Sequence, residues 1–239
     1  MSAGNLELQN IPQKRSSPTA TLIFLHGLGK TGIWQKEQFQ SLMAERSQFP
    51  HINIIFPTAP YRSGKYSDQE TYKWFSTKIT KEDQKLLIAT EEVEDTLIYV
   101  DRLVNKTVDS GIPRNRIIVG GVSQGGVVAL LYGYHKQASK VKGIISLSAF
   151  YPKLYMDSFR QDTQNYPELF HVHFNQDPVI PYDLSREGYN FFKSKNVPYE
   201  EHTLSFKEHS INEDMLHLTY AWILKMVPEE DANIGNHWQ

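Results

Sequence analysis

The 239-residue sequence predicts an α/β fold in which a mostly parallel central sheet carries helices on both faces. Two observations predict this class. Apolar runs rich in β-branched residues alternate with segments of helical period, which is typical of strands joined by crossover helices. In most of these runs the apolar residues are too continuous for a half-exposed strand, as expected for strands covered on both sides.

Six apolar runs are predicted to form the strands of this sheet. Each is short and is bounded by polar, proline or glycine residues, which favours a strand over a buried helix. The six runs span residues 19–27, 51–57, 116–122, 141–150, 168–174 and 199–206. The segment "LELQNI" at residues 6–11 predicts an additional strand at the edge of the sheet.

Segments of helical period lie between these strands, at residues 34–46, 84–108, 124–138, 183–195 and 212–227. Two longer connections with little pattern, 57–84 and 151–167, follow strand ends. In an open α/β sheet such connections lie at the carboxyl edge, where ligands bind. No linker divides the chain, so residues 1–239 are predicted to form one domain with a frayed polar tail at about 229–239.

Composition argues against several classes of function. The formal net charge is -2 and the basic residues are dispersed, which disfavours nucleic-acid binding. The chain has no cysteine, which excludes disulfides, cysteine-ligated zinc and thiolate catalysis. No apolar run is long enough for a transmembrane segment, and the first residues lack the apolar core of a signal peptide. We therefore expect a cytoplasmic location.

The stretch "GGVSQGG" at residues 120–126 contains the pattern G-x-S-x-G around Ser123. It follows a predicted strand and precedes a predicted helix, where a sharp turn would expose the serine hydroxyl. Such a turn requires small residues two positions before and after the serine, which Gly121 and Gly125 provide. A phosphate-binding loop is the alternative, but the glycines do not read G-x-G-x-x-G and the P-loop lysine pattern is missing.

A serine hydroxyl becomes a nucleophile when a base takes its proton and an acid orients that base. Asp177 directly follows one predicted strand, and His209 lies between the last predicted strand and the last helix. Asp183, near the start of a helix, is the alternative acid. The order Ser123, Asp177, His209, each after a separate strand, is that of the α/β-hydrolases. The alternative bases lie within strand or helix patterns, at His171, His173, His202 and His217.

Acyl transfer also places negative charge on a substrate oxygen, which positioned N–H donors stabilise. One predicted donor is the backbone N–H of Gln124, the residue after the nucleophile. The other is the backbone N–H of Leu28, in the loop "HGLG" that follows the first core strand. His26 in this loop is interpreted as a structural residue that bonds the loop backbone.

These residues resemble the acyl-protein thioesterase, lysophospholipase and carboxylesterase family of small α/β-hydrolases. The resemblance rests on "LIFLHGLG", "IIFPTAP", "WF", "VGGVSQGG", "DPVIP" and "EHS", in the family's order and over nearly the whole chain. "HINIIFPTAPYRS" and "SGIPRNRIIVGG" are most similar to the lysophospholipase-like branch. The resemblance implies no metal, no organic cofactor and no large cap domain. It also implies a triad and an oxyanion hole at Ser123, Asp177, His209, Leu28 and Gln124.

Several positions depart from the acyl-protein thioesterase pattern. Lys30 replaces an acid after H-G-L-G, and Ser76 replaces the acid after "WF". Phe174 and Asn175 replace a Gly-Asp pair before the triad acid, and residues of "FKE" replace a Gly-Met pair before the histidine. These changes bear on the acyl pocket, whose predicted lining is Trp34, Trp74 and Phe75.

The sequence thus predicts a serine hydrolase that cleaves carboxylic esters or thioesters through an acyl-enzyme. The predicted substrates are small acyl esters, lysophospholipids or S-acylated proteins, and the expected state is a monomer or weak homodimer. The alternatives are a long-chain protein depalmitoylase, a catalytically silent binding module and a serine peptidase. Peptidases on this fold commonly carry an added domain, for which 239 residues leave little room.

Overall fold

A computed structural model describes residues 8–11, 17–43, 49–81, 86–135, 140–160 and 166–229. Within these residues the chain forms eleven strands and five α-helices. The strands are β1 (Leu8–Ile11), β2 (Ala20–Leu25), β3 (Ile52–Pro57), β4 (Tyr61–Gly64), β5 (Ser67–Tyr72), β6 (Thr77–Ile79), β7 (Leu86–Ile88), β8 (Ile117–Val122), β9 (Gly143–Leu147), β10 (Glu168–Phe174) and β11 (Tyr199–Leu204). The helices are α1 (Gly32–Met43), α2 (Thr90–Asp109), α3 (Gln124–Tyr134), α4 (Tyr182–Ser194) and α5 (Glu213–Met226).

Seven of the described strands form the central sheet, in the order β1-β3-β2-β8-β9-β10-β11. β1 is antiparallel to β3 at one edge, and every other pair is parallel. Each of these strands lies inside a predicted run, so the predicted parallel sheet and edge strand are confirmed. Because the strands are parallel, the carboxyl ends of β2, β8, β10 and β11 lie at one edge of the sheet.

Helices cover both faces of the sheet, as predicted. Leu22 and Phe24 of β2 pack in one apolar cluster with residues of α1 and α5. Ile23 and Leu25 of the same strand pack in the other cluster with residues of α2, α3 and α4. Successive residues of a strand point to opposite faces, so every residue of β2 is buried, and all except Thr21 are apolar, because both of its faces are covered.

The described part of the predicted long connection at 57–84, residues 57–81, is folded rather than irregular. It contains the antiparallel hairpin β4–β5 and the first strand of the hairpin β6–β7. Residues 86–88 form β7, so the predicted helix start at residue 84 is wrong. α2 begins at Thr90, and Glu91 and Glu92 in its first turn complement the positive end of the helix dipole. Parts of several predicted segments lie outside the described residues, namely 6–7, 44–46, 82–85, 136–138, 161–165 and the tail beyond Glu229.

Candidate active site

Ser123 lies at the turn between β8 and α3, at the carboxyl edge of the sheet. Its backbone has a φ of 53° and a ψ of -120°, a strained conformation that costs a non-glycine residue of order 1–3 kcal/mol. The turn also requires small neighbours. A Cβ on Gly121 would lie 2.4 Å from the Gly125 carbonyl carbon, and a Cβ on Gly125 would lie 2.2 Å from the Leu25 carbonyl oxygen. The glycines of G-x-S-x-G are therefore sterically required here.

The His209 ring connects Ser123 to Asp177. Its Nε2 lies 2.8 Å from Ser123 Oγ, and its Nδ1 lies 2.7 Å from Oδ2 and 3.0 Å from Oδ1 of Asp177. An ionised carboxylate only accepts hydrogen bonds, so Nδ1 carries the proton and donates a hydrogen bond to the Asp177 carboxylate. Nε2 of the neutral ring is then the acceptor for the serine hydroxyl proton. The structure brings together the three residues that the sequence predicts.

The Asp177 carboxylate is held by the turn that follows β10. Its Oδ1 accepts hydrogen bonds from the backbone N–H groups of Val179, at 2.8 Å, and Ile180, at 2.9 Å. Burial alone would raise the pKa of Asp177, but the hydrogen bonds from His209, Ile180 and Val179 outweigh burial and lower this pKa. Asp177 is therefore ionised at neutral pH and able to orient His209.

The alternative triad residues occupy other positions in the fold. Asp183 lies in the first turn of α4, where its charge complements the helix dipole. His217 is on the exposed face of α5, with its side chain 59% exposed. His202 lies on β11 and pairs with Glu200 at 3.0 Å. None of these three side chains takes part in the hydrogen bonds of Ser123 and His209 given above.

Another serine–histidine contact lies inside the fold, where Ser185 Oγ is 3.0 Å from His171 Nε2. Both residues are buried, and Ser185 donates a hydrogen bond to the Ala149 carbonyl. The Nδ1 of His171 lies 2.9 Å from the Ser146 carbonyl oxygen. Burial holds the pKa of His171 well below its ordinary value. This contact joins β10 to α4 away from solvent and is a structural link.

Of the two residues with predicted oxyanion N–H donors, Gln124 directly follows Ser123 and Leu28 follows Gly27, which packs against Ser123. Gln124 is the first residue of α3, so its N–H has no carbonyl one turn earlier in the helix to bond. A Cβ on Gly27 would lie 3.5 Å from Ser123 Cβ, which places the loop carrying Leu28 against the serine. The next residue, Gly29, fixes this loop by donating its N–H to the Tyr72 carbonyl at 2.8 Å. Oxyanion binding by these two N–H groups stays a prediction.

The side chain of Gln124 has a role that the sequence does not predict. Its Oε1 accepts a hydrogen bond from the Trp74 N–H, and its Nε2 donates one to the Phe75 carbonyl, both at 2.8 Å. The Trp74 indole in turn donates to the His26 carbonyl at 2.8 Å. The residue after the serine thus joins the "WF" segment and the "HGLG" loop to the start of α3. The feature of the sequence that could indicate this role is Gln124 itself, a polar residue at the start of an otherwise apolar helix.

The aromatic residues predicted to line the acyl pocket divide into two kinds. Trp74 and Phe75 are 0% and 3% exposed and belong to an apolar cluster of the core. Trp34 is half-buried on α1, with the Lys30 ammonium 4.3 Å from its ring centroid. Trp74 and Phe75 therefore support the site from within the core, which differs from the predicted lining role. Of the three, Trp34 is the most exposed residue.

His26 is fully buried in the loop that carries Leu28. Its Nδ1 donates to the Gly27 carbonyl at 2.7 Å, and its Nε2 accepts from the Ala59 N–H at 2.9 Å. Burial lowers the pKa of His26 to about 4, although the bond to Gly27 acts in the opposite direction. The structural interpretation of His26 is confirmed, because both ring nitrogens bond the backbone.

The lowered pKa of His26 predicts a pH dependence of stability. An unfolded histidine has a pKa near 6.5, so the unfolded chain binds the extra proton between about pH 6.5 and pH 4. The contribution of neutral His26 to the free energy of unfolding is fully present above this pH window and is lost as the pH decreases through it. His26→Gln should therefore reduce the loss of unfolding free energy between pH 7 and pH 5 by about 2 kcal/mol.

Urea denaturation of both proteins at the two pH values measures this effect. The exposed His217 provides the control, since His217→Gln should retain the pH dependence of the unsubstituted protein. An identical pH dependence in the His26→Gln protein would contradict the neutral, buried state of His26.

The described residues also bear on metal binding and on membrane insertion. No group of three or more histidine, aspartate or glutamate side chains in the described ranges is arranged to hold a metal ion. Among the helices described, none has both the length and the apolar composition needed to span a membrane.

Comparison with known proteins gives consistent results. A family model described as phospholipase/carboxylesterase matches residues 6–227. Lysophospholipase-like protein 1 of Mus musculus is 32% identical over 234 residues, covering 92% of this chain and 94% of the mouse protein. Acyl-protein thioesterase 1 of Yarrowia lipolytica is 33% identical over 213 residues, covering 83% and 90%. The crystal structure of Zea mays acyl-protein thioesterase 2 superposes with a TM-score of 0.73 at 21% identity, covering 92% of this chain and 99% of that one, which supports the fold.

Proposed function

Because the chain belongs to the phospholipase/carboxylesterase family of α/β-hydrolases, we propose that Ser123, His209 and Asp177 cleave carboxylic esters or thioesters through an acyl-enzyme. The observation that carries the proposal is the continuous hydrogen-bonded path from Asp177 through His209 to Ser123 Oγ. A complete set of these hydrogen bonds also favours an enzyme over a silent binding module, because binding alone does not require a base positioned next to the serine.

The proposed reaction has two halves. In the first, His209 Nε2 takes the hydroxyl proton as Ser123 Oγ attacks the acyl carbonyl carbon, and Asp177 stabilises the imidazolium that forms. The N–H groups of Leu28 and Gln124 bind the oxyanion of the tetrahedral intermediate. Its collapse breaks the bond to the alcohol or thiol, which leaves with the proton from Nε2. In the second half water attacks the seryl ester in the same way, and the carboxylic acid leaves as the Ser123 hydroxyl is restored.

The family implies an acyl ester or acylated molecule as substrate, and we assign the preference within that class to short acyl chains. Trp74 and Phe75 are packed in the core, so they do not form the walls of an acyl pocket. Leu28, which is 53% exposed, and Val179, which is 62% exposed, adjoin the proposed site at the surface. A short acyl group can be held by such an open site, whereas a long chain needs an enclosed one. A cytoplasmic location and a monomer or weak homodimer stay predictions.

Removal of long acyl groups from proteins is the second candidate, because several similar proteins carry the name acyl-protein thioesterase 1. The mouse relative's name supports a lysophospholipid substrate in the same way. Both substrates carry a long acyl chain, which needs an extended apolar surface. Trp74 and Phe75 are buried in the core and do not provide one.

A chain-length series separates these candidates. We expect kcat/KM on p-nitrophenyl esters to be highest for acetyl to butanoyl groups and roughly tenfold or more lower for palmitoyl. A matched series of thioesters tests the leaving group, and Ser123→Ala is the control for activity outside the site. A maximum at palmitoyl in both series would overturn the short-chain assignment and favour depalmitoylation.

A further inference from the structure

A second histidine lies beside the acid of the proposed triad. His173 is on β10, four residues before Asp177, and its side chain is 1% exposed. Its Nε2 lies 3.0 Å from the Ile180 carbonyl oxygen and 3.7 Å from Asp177 Oδ2. The second distance exceeds a hydrogen bond, so His173 contacts the turn that holds the acid rather than the carboxylate itself. The reaction proposed above assigns His173 no part.

The surroundings of His173 determine its tautomer. A carbonyl oxygen can only accept, so Nε2 carries the proton and donates a hydrogen bond to the Ile180 carbonyl oxygen. Nδ1 is buried without a hydrogen-bond partner in the described part of the chain. Protonation would place a second buried N–H there without an acceptor, which is costly. Burial accordingly lowers the pKa of His173, although Ile180 and Asp177 act in the opposite direction.

The hydrogen bond from His173 closes a cycle through the turn. The Ile180 carbonyl accepts from His173, and the Ile180 N–H donates to Asp177 Oδ1 at 2.9 Å. The Asp177 N–H in turn donates to the Phe174 carbonyl, one residue after His173, at 3.2 Å. Both ends of the turn are thus tied to β10. A displacement of Ile180 would move one of the donors that orient the Asp177 carboxylate.

We propose that His173 is a positioning residue, whose neutral imidazole holds the Ile180 carbonyl and thereby fixes the turn that directs Asp177 toward His209. The inference rests on the proposed function, because it concerns the acid of that triad. A histidine suits this position better than a lysine or arginine. A permanent positive charge here would compete with His209 for the carboxylate, whereas a neutral N–H donor does not.

Two substitutions that are similar in polarity but differ in side-chain length test the proposal. In His173→Gln the amide nitrogen lies as many bonds from the backbone as Nε2 does, so it can still donate to Ile180. In His173→Asn the amide is one bond shorter and does not reach. We expect His173→Asn to lower kcat by roughly 10- to 100-fold with little change in KM, and His173→Gln to retain kcat within about threefold.

A proton NMR signal distinguishes positioning from a general effect on folding. The proton between His209 Nδ1 and Asp177 should give a downfield resonance in the unsubstituted protein and in His173→Gln. It should be shifted or lost in folded His173→Asn. Full activity of His173→Asn, or equal losses in both variants, would overturn the proposal.

A measurement of the His173 tautomer in the unsubstituted protein tests the proposal even if a variant fails to fold. Long-range 1H–15N correlation spectra should show His173 as the neutral tautomer protonated at Nε2 at pH 7. A charged ring or a proton on Nδ1 would overturn the proposal. If instead the unsubstituted protein hydrolyses no ester or thioester, the proposed function fails, and the tautomer still reports separately on the contact between His173 and Ile180.

Discussion

Replacing His209 with alanine is expected to lower kcat for ester hydrolysis by about 10⁶-fold. The substitution removes the acceptor that lies 2.8 Å from Ser123 Oγ, so the hydroxyl must lose its proton to water. Adding Ser123→Ala to His209→Ala should produce little further loss, because the two residues act in a single step and their effects do not add. Steady-state hydrolysis of p-nitrophenyl acetate, corrected for the uncatalysed rate, provides the measurement.

The control for this loss is His217→Ala, which removes an exposed histidine of α5. Its kcat should stay within about twofold of the unsubstituted value, as for a surface position. If His209→Ala retained more than a hundredth of the original kcat while remaining folded, another base would have to be assigned.

The second large effect is expected for Asp177→Asn, with a loss in kcat of about 10⁴-fold. The N–H groups of Val179 and Ile180 both point at Oδ1, so the asparagine carbonyl oxygen will occupy that position. The amide NH₂ must then face His209 Nδ1 and donate to it. This hydrogen bond favours the His209 tautomer that carries its proton on Nε2, and that tautomer cannot accept the proton of Ser123.

The matched control is Asp183→Asn, which changes the alternative acid in the first turn of α4. It should leave kcat nearly unchanged and cost at most about 1 kcal/mol of stability through the helix dipole. The opposite result, a large loss in Asp183→Asn and none in Asp177→Asn, would transfer the acid to Asp183. Comparing kcat for the two variants therefore decides between the candidates.

The strands of the central sheet and the residues of the proposed triad are predictable because each has a local pattern. Runs such as "LIFL" at residues 22–25 are apolar at every position, as expected for a strand covered on both faces. The candidate site follows from residue types at strand ends, since parallel topology brings these ends to one edge. Ser123, Asp177 and His209 could be selected on this basis without any distance being known.

Other features depend on information that no short segment contains. The strand β6 is exposed, and β7 reads "LLI", a run too short to distinguish a strand from the first turn of a helix. The contact between Gln124 and Trp74 joins residues 50 positions apart. The burial of Trp74 and Phe75 likewise depends on where the hairpins pack. An aromatic residue near a predicted site is therefore weak evidence for a substrate contact.

The central claim is that Ser123 is the nucleophile, and covalent labelling with a fluorophosphonate tests it most directly. Mass spectrometry of the digested protein should find one phosphonate on the peptide that contains Ser123. The folded Ser123→Ala protein should remain unlabelled under the same conditions. Absence of label from the folded unsubstituted protein, or equal labelling of Ser123→Ala, would contradict the account.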